Sequence, residues 1–462
     1  MGDTGRITTG LHPTVVDIVF GSSVDEAIDA ELAHITQVDR AHLVMLAEQG
    51  LVADDTARTL LRAIDDLRAA GFAPLRGRQA PRGLFLLYEQ HLADAGGGVL
   101  QTGRSRNDLN ATVLLLRLRA EWAALAHAAL AMQSALIDRA AAFADVVMPA
   151  YTHYQPAVPI TYGHWLAGVA FAVGRDIAAL VDVDLTRCPL GAGSVGGTSL
   201  PIDAGRTAEL LGFEHPVANS VDAVASRDVV LRLLAAAVVC GTNVSRVCAD
   251  LLPWLGGECG FLSLPDELVG SSSLMPQKRN PFVLEQAQGR TAAALGAFTA
   301  AATAVHGTPF TNSVAVGTEA VGHVWSGVRA IVDALRLVTL IVEGATPDRE
   351  RMLRRAVEGY TAATALADRL VVEEGMAFRD AHHAVGARIN ELEARGEPLE
   401  VDPASVAQAS KYGGGPAALE QGLELLRAEH AAHAEAVAQQ EKQWRAAEAD
   451  LDRVVARLTG GN

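Results

Sequence analysis

Residues 270–281, GSSSLMPQKRNP, combine the side chains best suited to acid–base chemistry on an anion. The serine hydroxyls could take a proton while Lys278 and the amide of Asn280 hold a carboxylate. The Gly-Ser run predicts a flexible loop, and Pro281 can open a helix with Asn280 as its N-cap. A loop that brings cations to a helix N-terminus can bind anions. An exposed basic loop without a ligand would have the same residues.

The first polar stretch in chain order, residues 102–108 (TGRSRND), precedes an apolar pattern that predicts a helix from Leu109 to about Met148. Ser105 or Asn107 could act only as the N-cap of that helix. Two arginines exceed what a cap needs, which favours an anion site. A helix of this length must bury its faces in a bundle or an oligomer.

The second polar stretch in chain order, residues 151–156 (YTHYQP), is predicted to be a Pro-bounded loop between two long helices, and residues 270–281 are the third stretch. A lone histidine in a loop is usually a surface residue or a satisfied core residue. Here His153 has the hydroxyl of Thr152 and the amide of Gln155 beside it, which favours a site. An imidazole is also well suited to donating a proton near neutral pH.

The composition limits the class of partner. The chain has 462 residues, half of them hydrophobic, and a formal charge of −16, which argues against nucleic acid and anionic membranes as partners. We find no signal peptide and no charge-free apolar run of spanning length. The cysteines lack metal or disulfide spacing and are predicted to be reduced, mostly buried thiols of a cytoplasmic protein: Cys188, Cys240, Cys248 and Cys259.

Helical patterns recur along most of the chain, and Gly50 and Gly375 mark helix ends. Residues 189–197 are glycine-rich, but they lack the Lys-Ser/Thr of a phosphate-binding loop, which disfavours a nucleotide site. The other predicted helices span about residues 23–33, 41–50, 161–183, 226–252, 282–305, 361–374, 378–395 and 416–458.

Residues 270–281 resemble the signature loop of the fumarase/aspartase superfamily, GSSxMPxKxNP. One residue departs from that pattern: Ser271 stands where the glycine before the catalytic serine is expected, and the serine itself falls on Ser272. Within the superfamily the chain is most similar to the argininosuccinate lyase family. This similarity is carried by residues 102–108, 190–203, 219–228, 275–278 and 363–386.

The resemblance implies an all-α fold of three domains, in which a long central bundle forms a twenty-helix core of a homotetramer. The domains are expected at residues 1–108, 109–355 and 356–462. The implied reaction is reversible loss of a leaving group from a succinyl unit, which releases fumarate. It needs no metal and no cofactor, and three subunits share each site. The expected partner is a small dicarboxylate, with no nucleic acid and no membrane.

The resemblance also implies catalytic roles. Ser272 takes the proton next to a carboxylate, and Lys278 and Asn280 hold the carboxylate whose charge increases. Stabilising that charge is the largest task of the site. His153 protonates the leaving amine, and Glu285 orients His153.

Other residues are expected to bind substrate. Four residues of the polar stretches 102–108 and 151–156 are expected to bind the second succinyl carboxylate through hydroxyl, guanidinium and amide groups: Ser105, Arg106, Asn107 and Thr152. Gln155 lies beside them. Arg227 is a further candidate, which could equally belong to a structural ion pair.

The amine side departs from the family. Where argininosuccinate lyases hold the arginine end with tyrosine, glutamine and lysine, this chain has Asn312, Gly317 and Ala320. Residues 82–85 (RGLF) replace a Glu-Asp-x-His run, and Gln101 replaces a histidine. We therefore predict a carbon–nitrogen lyase for an N-substituted aspartate whose amine is not arginine. Three alternatives remain: an ordinary argininosuccinate lyase, a catalytically silent structural relative, or a leaving group that is not an amine.

Overall fold

The computed structural model describes residues 10–20 and 24–460, and almost all regular structure in it is helical. This confirms the all-α prediction. The N-terminal helices are α1 (Pro13–Phe20), α2 (Val24–Ala27), α3 (Ala33–Glu48), α4 (Asp54–Ala69) and α5 (Leu84–His91). The middle of the chain forms α6 (Arg106–Ala142), α7 (Tyr162–Val181), α8 (Ala204–Leu210), α9 (Ser220–Ala225), α10 (Asp228–Leu255), α11 (Phe282–Val305) and α12 (Ala320–Gly344). The C-terminal helices are α13 (Arg349–Glu358), α14 (Ala363–Glu374), α15 (Phe378–Arg395), α16 (Pro403–Ala409) and α17 (Leu419–Thr459).

Long helices α6, α7, α10, α11 and α12 pack against one another as a bundle, and α17 packs across α6 and α7. Their buried faces are lined by aliphatic side chains and alanines, which lets the helices approach closely. Smaller hydrophobic clusters lie among the C-terminal helices. The predicted domain boundaries stay predictions.

The long helix α6 ends earlier than its apolar pattern predicted. It stops at Ala142, and the residues that follow form strand β1 (Val147–Thr152), which pairs antiparallel with β2 (Gln155–Thr161). The prediction of a helix to Met148 and of a loop at residues 151–156 was therefore wrong. The β-branched residues on both strands, together with Tyr151 on β1, favour an extended pair over a further helical turn.

Several helix ends match the sequence patterns, and one cap does not. Helix α11 spans the predicted residues, but its N-cap is Pro281 and no side chain caps it. Asn280 instead pairs its backbone with Gly270, so its predicted capping role was wrong. Gly50 and Gly375 both have the left-handed backbone expected after a helix end, at φ +65° and +67°.

The N-terminal helices are longer or less regular than predicted. Residues 41–50 belong mostly to the longer α3, and Ile28–Leu32 form a π-helix between α2 and α3. The predicted start at Ser23 lies outside the described residues. A second short strand pair, β3 (Leu262–Ser263) with β4 (Thr346–Pro347), connects the segment before the signature loop to the end of α12.

Two helices within the described residues, α7 and α10, are long and apolar enough to cross a membrane by length and composition alone. In each, 44% of the apolar window is buried inside the structure. Both belong to the packed bundle, and the core helices of proteins outside membranes meet the same criterion.

Candidate active site

The first polar stretch forms the N-terminus of α6. The Ser105 side chain caps the helix by accepting a hydrogen bond from the Asn107 backbone N–H at 3.3 Å, and the Asp108 carboxylate accepts one from the Ser105 N–H at 2.9 Å. This reciprocal capping box confirms Ser105 as the N-cap. The positive end of the α6 dipole therefore lies at Ser105, Arg106 and Asn107.

The glycine-rich segment supports this helix end. The second carboxylate oxygen of Asp108 accepts hydrogen bonds from the N–H groups of Gly191 at 3.1 Å and Gly193 at 2.8 Å. The Asn107 side chain donates to the Ser194 carbonyl at 3.1 Å. Since these groups bond the protein itself, the segment acts as a brace for α6.

A buried ion pair lies beneath the same stretch. Arg104 and Asp39 approach to 2.6 Å, and both side chains are fully buried. His42 bonds the Thr102 carbonyl through its Nε2 at 2.8 Å, and burial lowers the pKa of His42 to about 3. The backbone that leads into α6 is thus anchored from the N-terminal helices.

Arg106 is held by side chains that were not predicted to belong to the site. Its guanidinium lies 3.5 Å from the Glu89 carboxylate and 5.0 Å from the centre of the Phe85 ring. Gln101 donates to Glu89 at 2.7 Å. Phe85 and Gln101 both stand at positions where the sequence departs from the family. One contacts Arg106 and the other bonds its partner Glu89, so both departures lie around the same arginine.

The second polar stretch is the turn of the β1–β2 hairpin. Thr152 and Gln155 are paired across the strands, and His153 and Tyr154 occupy the two turn positions with φ of +50° and +62°. Two left-handed residues in a two-residue hairpin loop are typical of a type I′ turn. The turn lacks the usual Asn-Gly or Asp-Gly signal, which is why sequence reasoning missed the hairpin. It leaves Thr152, His153 and Gln155 exposed.

The third polar stretch is a loop closed at its base. Gly270 and Asn280 exchange two backbone hydrogen bonds, both of 2.8 Å. Arg279, which follows Lys278, pairs with Asp266 and donates to the Leu264 carbonyl. Lys278 itself is exposed, and the Asn280 side-chain amide donates to the Ser271 carbonyl at 3.4 Å.

Ser272 lies inside this loop with two donors on its hydroxyl. Its Oγ accepts hydrogen bonds from the backbone N–H groups of Leu274 at 3.3 Å and Met275 at 3.0 Å. Donors to this oxygen stabilise its negatively charged form. Glu285 is exposed in the first turn of α11, one helical turn after the loop.

Arg227 lies apart from these three stretches. It is 6% exposed and borders a cavity of about 380 Å³ between α6, α9 and the start of α10. Burial lowers its pKa to about 10. Its hydrogen bond goes to the Ser226 carbonyl at 2.8 Å, and among the described residues no acidic side chain pairs with it. Among the described residues, Arg227 therefore does not form the structural ion pair that was its alternative role.

Among the described residues, no hydrogen bond or ion pair joins one of the three polar stretches to another. Each stretch places its candidate side chains at or near the surface. The described residues also contain no group of three or more His, Cys, Asp or Glu side chains arranged to hold a metal ion. A shared site between subunits stays a prediction.

Comparisons with known proteins decide the family. Residues 89–296 match a lyase family, and residues 360–431 match the argininosuccinate lyase C-terminal family. An argininosuccinate lyase of Methanoculleus marisnigri is 38% identical over 360 residues, which cover 76% of this chain and 73% of that protein. One from Halobacterium salinarum is 37% identical over 411 residues, covering 84% and 83%.

The chain belongs to the argininosuccinate lyase family. Sequence and fold agree on this, and the protein is a lyase of that family. The structure of EDDS lyase in complex with formate is similar with a TM-score of 0.86 and 26% identity, over 99% of this chain and 98% of that one. A variant of EDDS lyase with bound fumarate superposes equally well.

A class II fumarase from Schistosoma mansoni has the same fold, with a TM-score of 0.66 and 16% identity over 82% of this chain and 91% of that one. The neighbours confirm the mostly helical, multidomain fold, and the family matches together with the likeness to EDDS lyase confirm the superfamily that the signature loop predicted.

Sequence reasoning missed one contact that joins the first polar stretch to a distant segment. The Asn312 side chain donates to the Asn107 side-chain oxygen at 2.9 Å. A Cβ atom at Gly317 would lie 3.2 Å from the Asn312 side-chain oxygen, so glycine there gives this amide room. In the sequence, Asn312 and Gly317 stand out only as departures from the argininosuccinate lyase pattern, and nothing signals that they are in contact.

Proposed function

We propose that the protein catalyses reversible cleavage of an N-substituted aspartate to fumarate and an amine. The observation that carries this proposal is the pair of backbone N–H groups that point at the Ser272 hydroxyl oxygen. A serine is a weak base unless its charged form is stabilised, and these donors supply that stabilisation. Membership of the argininosuccinate lyase family and likeness to EDDS lyase support a fumarate-forming carbon–nitrogen lyase.

The proposed reaction begins with loss of a proton from the carbon next to a carboxylate. Ser272 takes this proton, and the carboxylate develops a second negative charge as the carbanion forms. Lys278 and Asn280 hold that carboxylate, and preorganised donors of this kind lower the barrier most when they face the developing charge.

The leaving nitrogen then needs a proton. His153 donates it, with Glu285 as the residue that orients the imidazole. The other succinyl carboxylate binds at the N-terminus of α6, where the helix dipole and the side chains favour an anion. The residues proposed to hold it are Ser105, Arg106, Asn107 and Thr152, with Gln155 beside them. Arg227 remains a more distant candidate for binding an anion.

We propose that a homotetramer assembles the site and that three subunits contribute to each copy of it. Support comes from the lack of hydrogen bonds and ion pairs between the polar stretches among the described residues of one chain, and from exposed apolar residues on the bundle: Val239 on α10, Leu295 on α11 and Leu340 on α12. A second copy of the bundle would cover such residues.

A reducing, cytoplasmic location is proposed from the free thiols, of which Cys188, Cys240 and Cys248 are buried.

A direct assay tests the function. The purified protein is offered argininosuccinate and a series of other N-substituted aspartates, and fumarate release is measured. We expect release from at least one of them, and Ser272→Ala should lower kcat by about 10²- to 10⁴-fold. Ser273→Ala is the matched control, because that neighbouring hydroxyl has no assigned role.

Three outcomes of this assay would contradict the proposal or part of it. Efficient turnover of argininosuccinate alone would favour an ordinary argininosuccinate lyase, a reading that the 37–38% identity to two such enzymes supports. Equal activity of Ser272→Ala and wild type would refute the role of Ser272. Absence of fumarate release from every compound would favour a catalytically silent relative.

A further inference from the structure

The segment at residues 306–317 lies directly beside the candidate succinyl site. Asn312 donates to the Asn107 side-chain oxygen at 2.9 Å, and Asn107 in turn donates to the Ser194 carbonyl at 3.1 Å. Asn107 therefore keeps one amide hydrogen for a substrate carboxylate. A substrate held there would extend its other half along the segment that carries Asn312.

That segment exposes two large apolar side chains. Phe310 and Val314, on either side of Asn312, are 68% and 69% exposed, although both are large hydrophobic side chains. The sequence from 307 to 318, GTPFTNSVAVGT, contains no Lys, Arg, Asp or Glu. A patch of this kind beside a polar site indicates contact with an apolar group.

The charged side chains of Arg106 and Glu319 do not favour a further carboxylate on this half of the substrate. Arg106 is already assigned to the succinyl carboxylate, and it also pairs with Glu89 at 3.5 Å and lies over the Phe85 ring. Glu319, at the far end of the segment, is exposed and would repel an anion. A second carboxylate would therefore meet no free cation among these residues and would lose solvation on binding.

We infer that the amine half of the substrate is apolar and carries no carboxylate, so that the substrate is an N-alkyl or N-arylalkyl aspartate. This inference rests on the proposed function and gives its substrate class. Asn312 and Gly317 set the width of the pocket, because the missing side chain at Gly317 lets the Asn312 amide turn toward Asn107. Phe310 and Val314 form the wall that contacts the amine.

The test measures addition of amines to fumarate by the purified full-length protein. Benzylamine and cyclohexylamine represent apolar amines, and arginine and other amino acids represent amines that carry a carboxylate. We expect kcat/KM for the apolar amines to exceed that for the amino acids by about 10-fold or more, as burial of a few methylene groups provides. Phe310→Lys, which adds a cation to the wall, should lower this ratio by about 10-fold.

Phe378→Lys is the matched control, since Phe378 is also an exposed phenylalanine, 52% exposed, but lies on α15. It should leave the ratio unchanged. Val314→Lys provides a second wall variant in case Phe310→Lys folds poorly, which thermal unfolding will report.

Each other result overturns the inference. A wild-type preference for amino acids refutes it while leaving the proposed function intact. If Phe310→Lys alters the oligomeric mass but not the amine ratio, the exposed wall is a contact between subunits and not part of the pocket. If no amine consumes fumarate, the proposed function fails, and the inference fails with it.

Discussion

Arg104 and Asp39 form an ion pair of 2.6 Å in which both side chains are fully buried. Arg104 belongs to the stretch that carries Ser105, Arg106 and Asn107, whereas Asp39 belongs to α3. The pair therefore fixes the N-terminus of α6 against the N-terminal helices. Removing one partner would destabilise the fold, because the other charge would stay buried without its partner and an unpaired buried charge is strongly unfavourable.

Asp39→Asn keeps the shape of the side chain and removes its charge. We expect it to lower the free energy of unfolding by about 3–5 kcal/mol, because the buried Arg104 guanidinium would lose the charged partner that it contacts. Urea unfolding measures this loss. Glu420→Gln, in the exposed pair with Arg427, is the control and should cost less than about 1 kcal/mol. Similar losses in both variants would contradict the prediction.

Gly193→Ala should weaken the brace at the start of α6. Gly193 has φ +61°, and a Cβ atom there would lie 2.6 Å from the Gly197 carbonyl oxygen. We expect a loss of about 1–3 kcal/mol from the strained backbone, together with a higher KM for the succinyl substrate. Gly196→Ala is the matched control, because its Cβ would meet nothing within 4 Å. The prediction fails if the two variants unfold alike.

The substitution His153→Asn tests the role of the imidazole separately from that of the turn on which it lies. Asparagine tolerates the left-handed backbone at φ +50°, so the hairpin should stay intact. We expect kcat to fall by about 10²- to 10⁴-fold through loss of the proton donor, with unfolding unchanged. Tyr154→Asn, at the other left-handed turn position, should keep its activity. Full activity of His153→Asn would remove His153 from the mechanism.

The buried imidazole of His42 and the partly buried imidazole of His34 make stability depend on pH. Burial lowers the pKa of His42 to about 3 and that of His34 to about 4, from the ordinary value of 6.5. The folded chain keeps both neutral while the unfolded chain takes up protons below about pH 6.5. Their contribution is therefore complete above that pH and is lost as pH falls toward 4 and 3.

Unfolding free energies between pH 7 and pH 4 measure this effect. Each imidazole should contribute a slope of about 1.4 kcal/mol per pH unit within its window. His42→Gln can still bond the Thr102 carbonyl and should show a shallower slope than wild type. An identical slope in both proteins would contradict the assignment to His42.

Features of the fold and the site that are formed by neighbouring residues in the sequence were predictable from it. The pattern of α11 predicted its bounds correctly, and the residues of each polar stretch could be recognised because they are neighbours in the chain. Periodicity failed at Val147–Thr152 because the left-handed turn at His153 and Tyr154 uses neither glycine nor asparagine. The prediction of Asn280 as a cap failed because local patterns do not show its pairing with Gly270.

Contacts between distant residues were not predictable. The bond from Asn312 to Asn107 joins residues 205 positions apart, and the support of Arg106 by Glu89 depends on where the fold places α5 relative to the start of α6. Such contacts depend on tertiary packing and have no local signal. The sequence marked Asn312, Phe85 and Gln101 as unusual, and only the fold shows that all three support residues 106 and 107.

The two backbone bonds between Gly270 and Asn280 have a consequence for motion. They close the intervening residues into a ring, so that the ends of the loop cannot part even when its tip swings. Ser272 and Lys278 would then move together, and the proposed proton acceptor would reach the substrate together with the cation that we propose stabilises the carbanion.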